Sequence, residues 1–207
     1  MSEPSRHTHP LLRAADLAAD PIEQFGAWFE VAEREVPLAE AMMVATVDAE
    51  GAPDARMVLL KGFGPDGFRF FTNYGSAKGA QLGATPLAAL VIYWRELDRQ
   101  VRVRGPVERL PAEDSDAYFA SRLRESRLGA WASPQSEAIS GREALEQRLE
   151  EVESRFGDGE VPRPEFWGGF LVRPERIEFW QGQQARMHDR FVYTRTGEAW
   201  QMERLAP

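Results

Sequence analysis

The run of short apolar segments in this 207-residue chain predicts an α+β fold built on an antiparallel β-barrel with surrounding helices. Two observations carry that reading. Strand-like runs follow one another closely and are joined by turns rich in Gly and Asp, as in a meander. Helical segments interrupt them without the regular strand–helix alternation that a parallel sheet requires.

Residues 1–18 are polar and contain Pro, which predicts a mobile arm, with residues 19–207 forming a single domain. The domain opens with a helix at Asp20-Pro21-Ile22-Glu23, where Asp caps, Pro takes the first helical position and Glu the third. Phe25, Trp28, Phe29 and Ala32 then recur at helical spacing on one face. Strands are expected at 42–48, 55–63 and 68–72, with turns at Ala49-Glu50-Gly51 and Gly64-Pro65-Asp66-Gly67. A short helix over 76–83 precedes strands at 87–94 and 100–110.

Residues 111–120 read as helical with acids in the first turn, whereas the Arg- and Ser-rich stretch 121–135 has no clear pattern. Ser140-Gly141-Arg142-Glu143 looks like a second capping box, opening a helix with Leu145, Leu149, Val152 and Phe156 on one face. Residues 141–160 hold seven acids and three bases, half of the chain's excess negative charge, which suits a solvated helix face. Four strands should follow a Pro/Gly loop, at 167–172, 176–181, 190–194 and 199–204.

Composition excludes several function classes. Without cysteine there is no disulfide, iron–sulfur cluster, cysteine-ligated zinc or thiol nucleophile. A net charge of −8 argues against a general nucleic-acid binder. The apolar runs are of strand length and the N-terminus lacks a signal-peptide core, so the expected location is the cytoplasm, with no membrane partner. Of the 25 basic residues, 23 are Arg, and the two Lys are Lys61 and Lys78.

Four segments could carry chemistry. In Thr72-Asn73-Tyr74-Gly75-Ser76-Ala77-Lys78 a strand ends and a helix begins, with a cation in the first turn. The macrodipole disfavours a cation there, so the segment is either an anion site or a capped helix with a solvated Lys. In Arg56-Met57-Val58-Leu59-Leu60-Lys61, strand alternation puts Arg56 and Lys61 on opposite faces, and only a bend would bring both to one ligand. Tyr118 with Arg122, Arg124, Ser126 and Arg127 offers donors suited to phosphate, or an ordinary solvated charge run. Finally, Arg186, His188 and Arg190 would alternate onto one side of an extended segment, beside Asp189.

That last segment reads Glu178-Phe179-Trp180-Gln181, four residues, then Arg186-Met187-His188-Asp189-Arg190. It resembles the C-terminal signature of the pyridoxine/pyridoxamine 5′-phosphate oxidase family. Other segments agree with that family in order and spacing: 56–61, Phe71-Thr72-Asn73, Gly75-Ser76, Arg99-Gln100-Val101, Gly129-Ala130-Trp131, Gln135-Ser136, 166–170 and the closing Arg204-Leu205-Ala206-Pro207. The likeness runs from about residue 16 to the end.

The resemblance implies an FMN-binding split barrel working as a homodimer with its sites at the interface. It implies that Arg56, Lys78, Gln135 and Ser136 hold the FMN phosphate. It places Thr72, Gln100, Trp180 and Arg190 against the flavin or its ribityl chain, with Met57, Val58, Leu59, Leu60, Lys61 and Phe71 lining the cofactor. Lys61, Tyr118, Arg122 and Ser126 would hold a substrate phosphate, and Arg186 and His188 would be catalytic, holding the pyridine ring. The implied reaction oxidises pyridoxamine or pyridoxine 5′-phosphate to pyridoxal 5′-phosphate, with dioxygen giving hydrogen peroxide. Arg190 would favour the reduced, anionic flavin. No metal is implied.

Three features depart from the family pattern. Ala77 stands where the family usually has Arg, which predicts weaker FMN retention. Arg6, His7, His9 and Arg13 do not match the family's covering arm, and Gln184-Ala185 replaces a more polar stretch. Two other functions compete: a flavin reductase on the same barrel using a nicotinamide or deazaflavin donor, and a non-catalytic carrier of pyridoxal phosphate or flavin.

Overall fold

The computed structural model describes residues 10–207, which hold ten strands and five α-helices. Helix α1 (Pro21–Glu35) starts as its sequence dictates: the Asp20 carboxylate accepts the Ile22 N–H at 2.7 Å, with Pro21 at the first position. Its buried face carries Phe25, Trp28 and Ala32. Phe25 meets Phe63 and Phe68 edge-on at 4.8 and 4.9 Å, and Trp28 meets Phe179 at 5.2 Å, so α1 plugs the barrel interior.

The strands are β1 (Ala41–Val47), β2 (Pro53–Leu59), β3 (Gly62–Gly64), β4 (Gly67–Asn73), β5 (Leu87–Trp94), β6 (Arg99–Arg109), β7 (Trp167–Val172), β8 (Arg176–Gln181), β9 (Asp189–Thr196) and β10 (Ala199–Leu205). Every ladder is antiparallel. Pairings run β2–β1–β5–β6–β7–β4–β3, and β2 and β3 are successive pieces of one bent strand, so the circuit closes on itself. Strands β8, β9 and β10 leave the circuit from the first half of β6. The barrel is split because β6 changes partner along its length, from β8 at Arg99–Arg104 to β7 at Val107–Arg109. The change falls at Gly105, where a Cβ would sit 1.8 Å from the Arg173 carbonyl oxygen, so only glycine fits.

Helix α2 (Ala77–Ala84) follows β4, while α3 (Ala112–Ser121), α4 (Arg124–Ala132) and α5 (Arg142–Phe156) form a second layer. A small core of Phe119, Leu128, Val161 and Trp167 holds that layer, and Leu149, Val152 and Phe156 of α5 pack against it.

Several sequence expectations need correction. The strand expected over 55–63 breaks at Leu60–Lys61 into β2 and β3. The patternless stretch 121–135 contains α4, whose buried side is narrow, only Leu128 and Ala132. Ser140–Glu143 is not a capping box, since Gly141 takes the cap position and no side chain caps α5. Residues 10–18, expected as part of a mobile arm, pack on the domain. Leu12 is buried, Tyr193 donates its hydroxyl to the Ala18 carbonyl at 2.7 Å, and Gln181 donates to the Pro10 carbonyl at 2.7 Å. Residues 1–9, with Arg6, His7 and His9, lie outside the described residues.

Candidate active site

A cavity of about 490 Å³ opens between the barrel and the helical layer. Lys61, Thr72, Lys78 and Gln135 contribute to its polar lining, and Tyr118, Arg122 and Ser126 reach it from α3, α4 and the link between them. Met57, Val58, Leu59 and Phe71 supply apolar wall. Eleven residues expected at the site therefore meet at one cavity.

Its first cationic group is Lys78. The ammonium is buried and donates to Thr72 Oγ1 at 3.1 Å, Ser76 Oγ at 3.2 Å and Gln135 Oε1 at 3.2 Å. All three acceptors are neutral. Burial, and then the nearby Arg56 charge, hold the lysine below its ordinary range. Ser76 also caps α2 by accepting the Gly79 N–H at 3.3 Å. A Cβ on Gly79 would fall 2.2 Å from the Tyr74 carbonyl oxygen, so this turn is fixed by close packing.

The second group is Arg122 with Tyr118. Arg122 lies over the Trp167 ring at 4.7 Å, and its Nη1 is buried without a hydrogen-bond partner among the described residues. Burial lowers the Arg122 pKa and raises that of Tyr118, the latter opposed by the adjacent guanidinium. Tyr118 stacks on Phe71 at 3.9 Å, and Phe71 on Trp167 at 5.6 Å, forming an aromatic floor. Lys61 adds a cation, 4.0 Å from Glu40.

Three expected residues do not line this cavity. Leu60 is buried in the barrel core. Ser136 is exposed at φ 75° beside Gln135. Arg56 turns toward α2, donating to Thr46 Oγ1 at 2.6 Å and Gln81 Oε1 at 3.1 Å and pairing with Asp54, whose carboxyl is held low by Gln81 and Arg56. Trp167, Asn73 and Ser133 line the cavity without having been singled out. For Trp167 the Phe166–Phe170 motif was the available signal, and for Asn73 the Phe71-Thr72-Asn73 motif; Ser133 is a small polar residue with none.

The remaining expected residues form a separate cluster on β6, β8 and β9. Gln100, Trp180 and Arg190 are successive Cα partners across three strands. Arg190 donates to Glu178 Oε1 at 2.9 Å and to the Ala206 carbonyl at 2.9 Å. The His188 ring lies 4.7 Å from that of Trp180, and its Nδ1 accepts the Gln183 N–H at 3.1 Å. A nitrogen that accepts is unprotonated, so neutral His188 carries its proton on Nε2 and can donate outward. Arg186 is exposed on a turn in which Ala185 (φ 53°) and Arg186 (φ 60°) are both left-handed, costing roughly 1–2 kcal/mol each.

The two clusters share one exposed sheet face. Cα pairing runs Met57–Met43–Val91 across β2, β1 and β5, and Tyr93–Gln100–Trp180–Arg190 across β5, β6, β8 and β9. Val91 and Tyr93 are two apart on β5, so all these side chains point the same way. Met57 is 62% exposed and Tyr93 53%, so this face leaves large apolar side chains open to solvent.

A family profile described as "Pyridoxamine 5'-phosphate oxidase" matches residues 23–156. A second, described as "Pyridoxine 5'-phosphate oxidase C-terminal dimerisation region", matches residues 167–207. The chain belongs to the pyridoxamine 5′-phosphate oxidase family. It is 57% identical over 189 residues to the pyridoxine/pyridoxamine 5′-phosphate oxidase of Rubrobacter xylanophilus, covering 91% of this chain and 87% of the relative. It is 51% identical over 206 residues to that of Cupriavidus taiwanensis, covering 98% and 97%.

Among solved structures, PhzG from Burkholderia lata superposes with a TM-score of 0.89 at 27% identity, covering 97% of this chain and all (100%) of that one. An FMN-binding protein from Nostoc punctiforme gives 0.72 at 21% identity, over 91% and 98%, and confirms the split-barrel fold. As a family member the chain is an FMN-dependent oxidoreductase. The cavity fits that cofactor: a buried Lys78 bonds only neutral acceptors, and the charge of Arg56 outweighs that of Asp54 on it, so a phosphate would supply the missing negative charge. Among the described residues no helix is long and apolar enough to cross a membrane, and no His/Cys/Asp/Glu cluster could hold a metal ion.

Proposed function

We propose that this oxidase converts pyridoxamine 5′-phosphate, pyridoxine 5′-phosphate or both to pyridoxal 5′-phosphate. The observation that carries this reading is two cationic groups in one cavity, each with unmet demand for an anion: Lys78 without a carboxylate, and Arg122 with an orphaned Nη1. Lys78, Thr72 and Gln135 would hold the FMN phosphate. Lys61, Tyr118, Arg122 and Ser126 would hold that of the substrate, with Phe71, Tyr118 and Trp167 as an apolar floor that excludes water.

The redox chemistry would be that of bound FMN, as acceptor of the hydride from the substrate's C4′ and donor of the electron pair to dioxygen. With the amine, dioxygen and water are consumed and aldehyde, ammonia and hydrogen peroxide are formed; with the alcohol, water and ammonia drop out. The residues of this chain bind and orient. His188 would donate from Nε2, and Arg186 and Arg190 would offer positive charge where negative charge develops.

The second cluster would act on the cavity of a second copy. An isologous contact through the face from Met57 to Arg190 would bring each copy's Gln100, Trp180, Arg186, His188 and Arg190 to the other's cavity. The matched dimerisation region, 167–207, contains four of those five residues.

The deciding experiment supplies purified protein with FMN, oxygen and pyridoxamine 5′-phosphate and follows peroxide and aldehyde absorbance. Production of both in equal amounts supports the reading. Turnover only with a nicotinamide donor would replace it with a reductase, and tight product binding without turnover with a carrier.

A further inference from the structure

The turn that carries Arg186 and His188 is held from outside itself. Two successive left-handed, non-glycine residues do not persist unless the surroundings over-determine them. Here the two ends of the turn are tied to each other: the Gln183 side chain donates to Asp189 Oδ2 at 3.0 Å. Asp189 is 1% exposed, and its carboxylate also accepts the Leu12 N–H at 3.0 Å and pairs through Oδ1 with Arg204 of β10. Gln183 additionally donates to the Pro10 carbonyl at 3.3 Å. Its own backbone N–H is the group that bonds His188 Nδ1.

We infer that Gln183 and Asp189 are positioning residues, which close a side-chain bridge across the 184–188 turn and, with the Pro10–Leu12 segment, set both the place of His188 and the ring nitrogen that carries its proton. A buried carboxylate with donors from three separate stretches of chain is a rigid anchor, because leaving any of its charge unpaired is costly. Gln183 converts that rigidity into orientation. Its side chain is fixed at Asp189, so its N–H is aimed at Nδ1, and Nε2 is left as the outward donor. Leu12 extends the anchor to a part of the chain 177 residues away in sequence. The catalytic importance of His188 rests on the proposed function; the mechanical link does not.

The test uses the full-length protein and two readouts, amide hydrogen exchange and steady-state kinetics, with the thermal midpoint as control. Gln183→Ala should raise exchange across 183–188 at least tenfold and lower kcat/KM about 10- to 100-fold, chiefly in kcat. Gln183→Glu, of the same size but repelled by Asp189, should do the same. Asp189→Asn should add faster exchange over 10–13. Leu12→Pro removes the N–H and should loosen 183–188, whereas Leu12→Ala keeps it and should not. In ¹⁵N-labelled protein, the His188 ring resonances should report Nδ1 unprotonated in wild type and shift in Gln183→Ala. Unchanged exchange in Gln183→Ala and Gln183→Glu, or equal effects of Leu12→Pro and Leu12→Ala, would overturn the inference. Because exchange and ring resonances need no substrate, a wild type that fails to oxidise pyridoxamine 5′-phosphate would remove the functional reading and leave this one standing.

Discussion

Leu60 and Lys61 are neighbours in sequence that bond to different ladders. The Leu60 N–H goes to the Glu40 carbonyl at 2.8 Å, on the β1 side, and the Lys61 N–H to the Arg69 carbonyl at 2.8 Å, on β4. This corner lets one bent strand serve both sides of the barrel. Leu60 points into the core while Lys61 reaches the cavity.

Lys61 should therefore act on substrate and hardly on cofactor. Lys61→Met is expected to raise KM for the phosphorylated substrate by about 10- to 100-fold, from a charged hydrogen bond of roughly 1.5–3 kcal/mol, with FMN affinity unchanged within twofold. Fluorescence titration of FMN beside steady-state kinetics checks this. An equal loss in both would mean that the two phosphates are not held separately.

Lys78 should show the opposite balance. Its pKa is lowered in the folded protein by burial and by Arg56, so the unfolded chain binds that proton more tightly. Stability therefore gains as pH rises from the folded pKa toward the ordinary value of 10.5, and at neutral pH the buried charge is a burden. Lys78→Gln should leave the thermal midpoint of the FMN-free protein unchanged or higher while weakening FMN by about 10- to 100-fold. Ala77→Arg, at the exposed first position of α2, should tighten it. A lower FMN-free midpoint in Lys78→Gln would refute the account.

Tyr193 sets a stability limit at high pH. Burial, then the charge of Asp20, raise its pKa from 10.0 to about 12. The folded state thus keeps the phenol neutral where the unfolded chain ionises it. Its contribution is complete below pH 10 and is lost as pH rises through about 12. Tyr193→Phe should flatten the fall in unfolding free energy across that window. It should also cost about 1 kcal/mol at neutral pH, for the lost bond to the Ala18 carbonyl. Parallel urea titrations from pH 8 to 12 would show either.

Shared sites predict complementation. At FMN concentrations well below the weakened affinity, Lys78→Gln leaves the cavity empty and His188→Gln damages the β8–β9 cluster, so each homodimer should be nearly inactive. A hybrid pairs the sound cavity of one copy with the sound cluster of the other. Free subunit exchange in an equal mixture should restore about a quarter of wild-type activity, one intact site in every four. No recovery after demonstrated exchange would place both clusters of each site on one chain.

Much of this was legible in the sequence, for identifiable reasons. The α1 cap is local, needing only Asp20 and Pro21, and strands such as 87–94 and 167–172 are bounded by turn residues. The corner at Leu60–Lys61 was not readable, because alternation puts Arg56 and Lys61 on opposite faces and only tertiary pairing tells where a strand bends. Helix α4 was hidden for a related reason: its first turn is dominated by charge, and it buries only Leu128 and Ala132. In the site, the charged residues and Tyr118 stood out as four separate segments, and the family resemblance joined them and added Phe71 and Trp180. The Gln183–Asp189 bridge did not, since its partners Leu12 and Arg204 lie near opposite ends of the chain.

The exposed face from Met57 to Arg190 also bears on how the catalyst behaves on dilution. Each free protomer would hold two unfinished halves and no whole centre, so the number of working centres would follow the dimer population and not the amount of polypeptide. Well below the dimer's dissociation constant, the rate would become second order in protein. Specific activity would then be a property of concentration as much as of sequence.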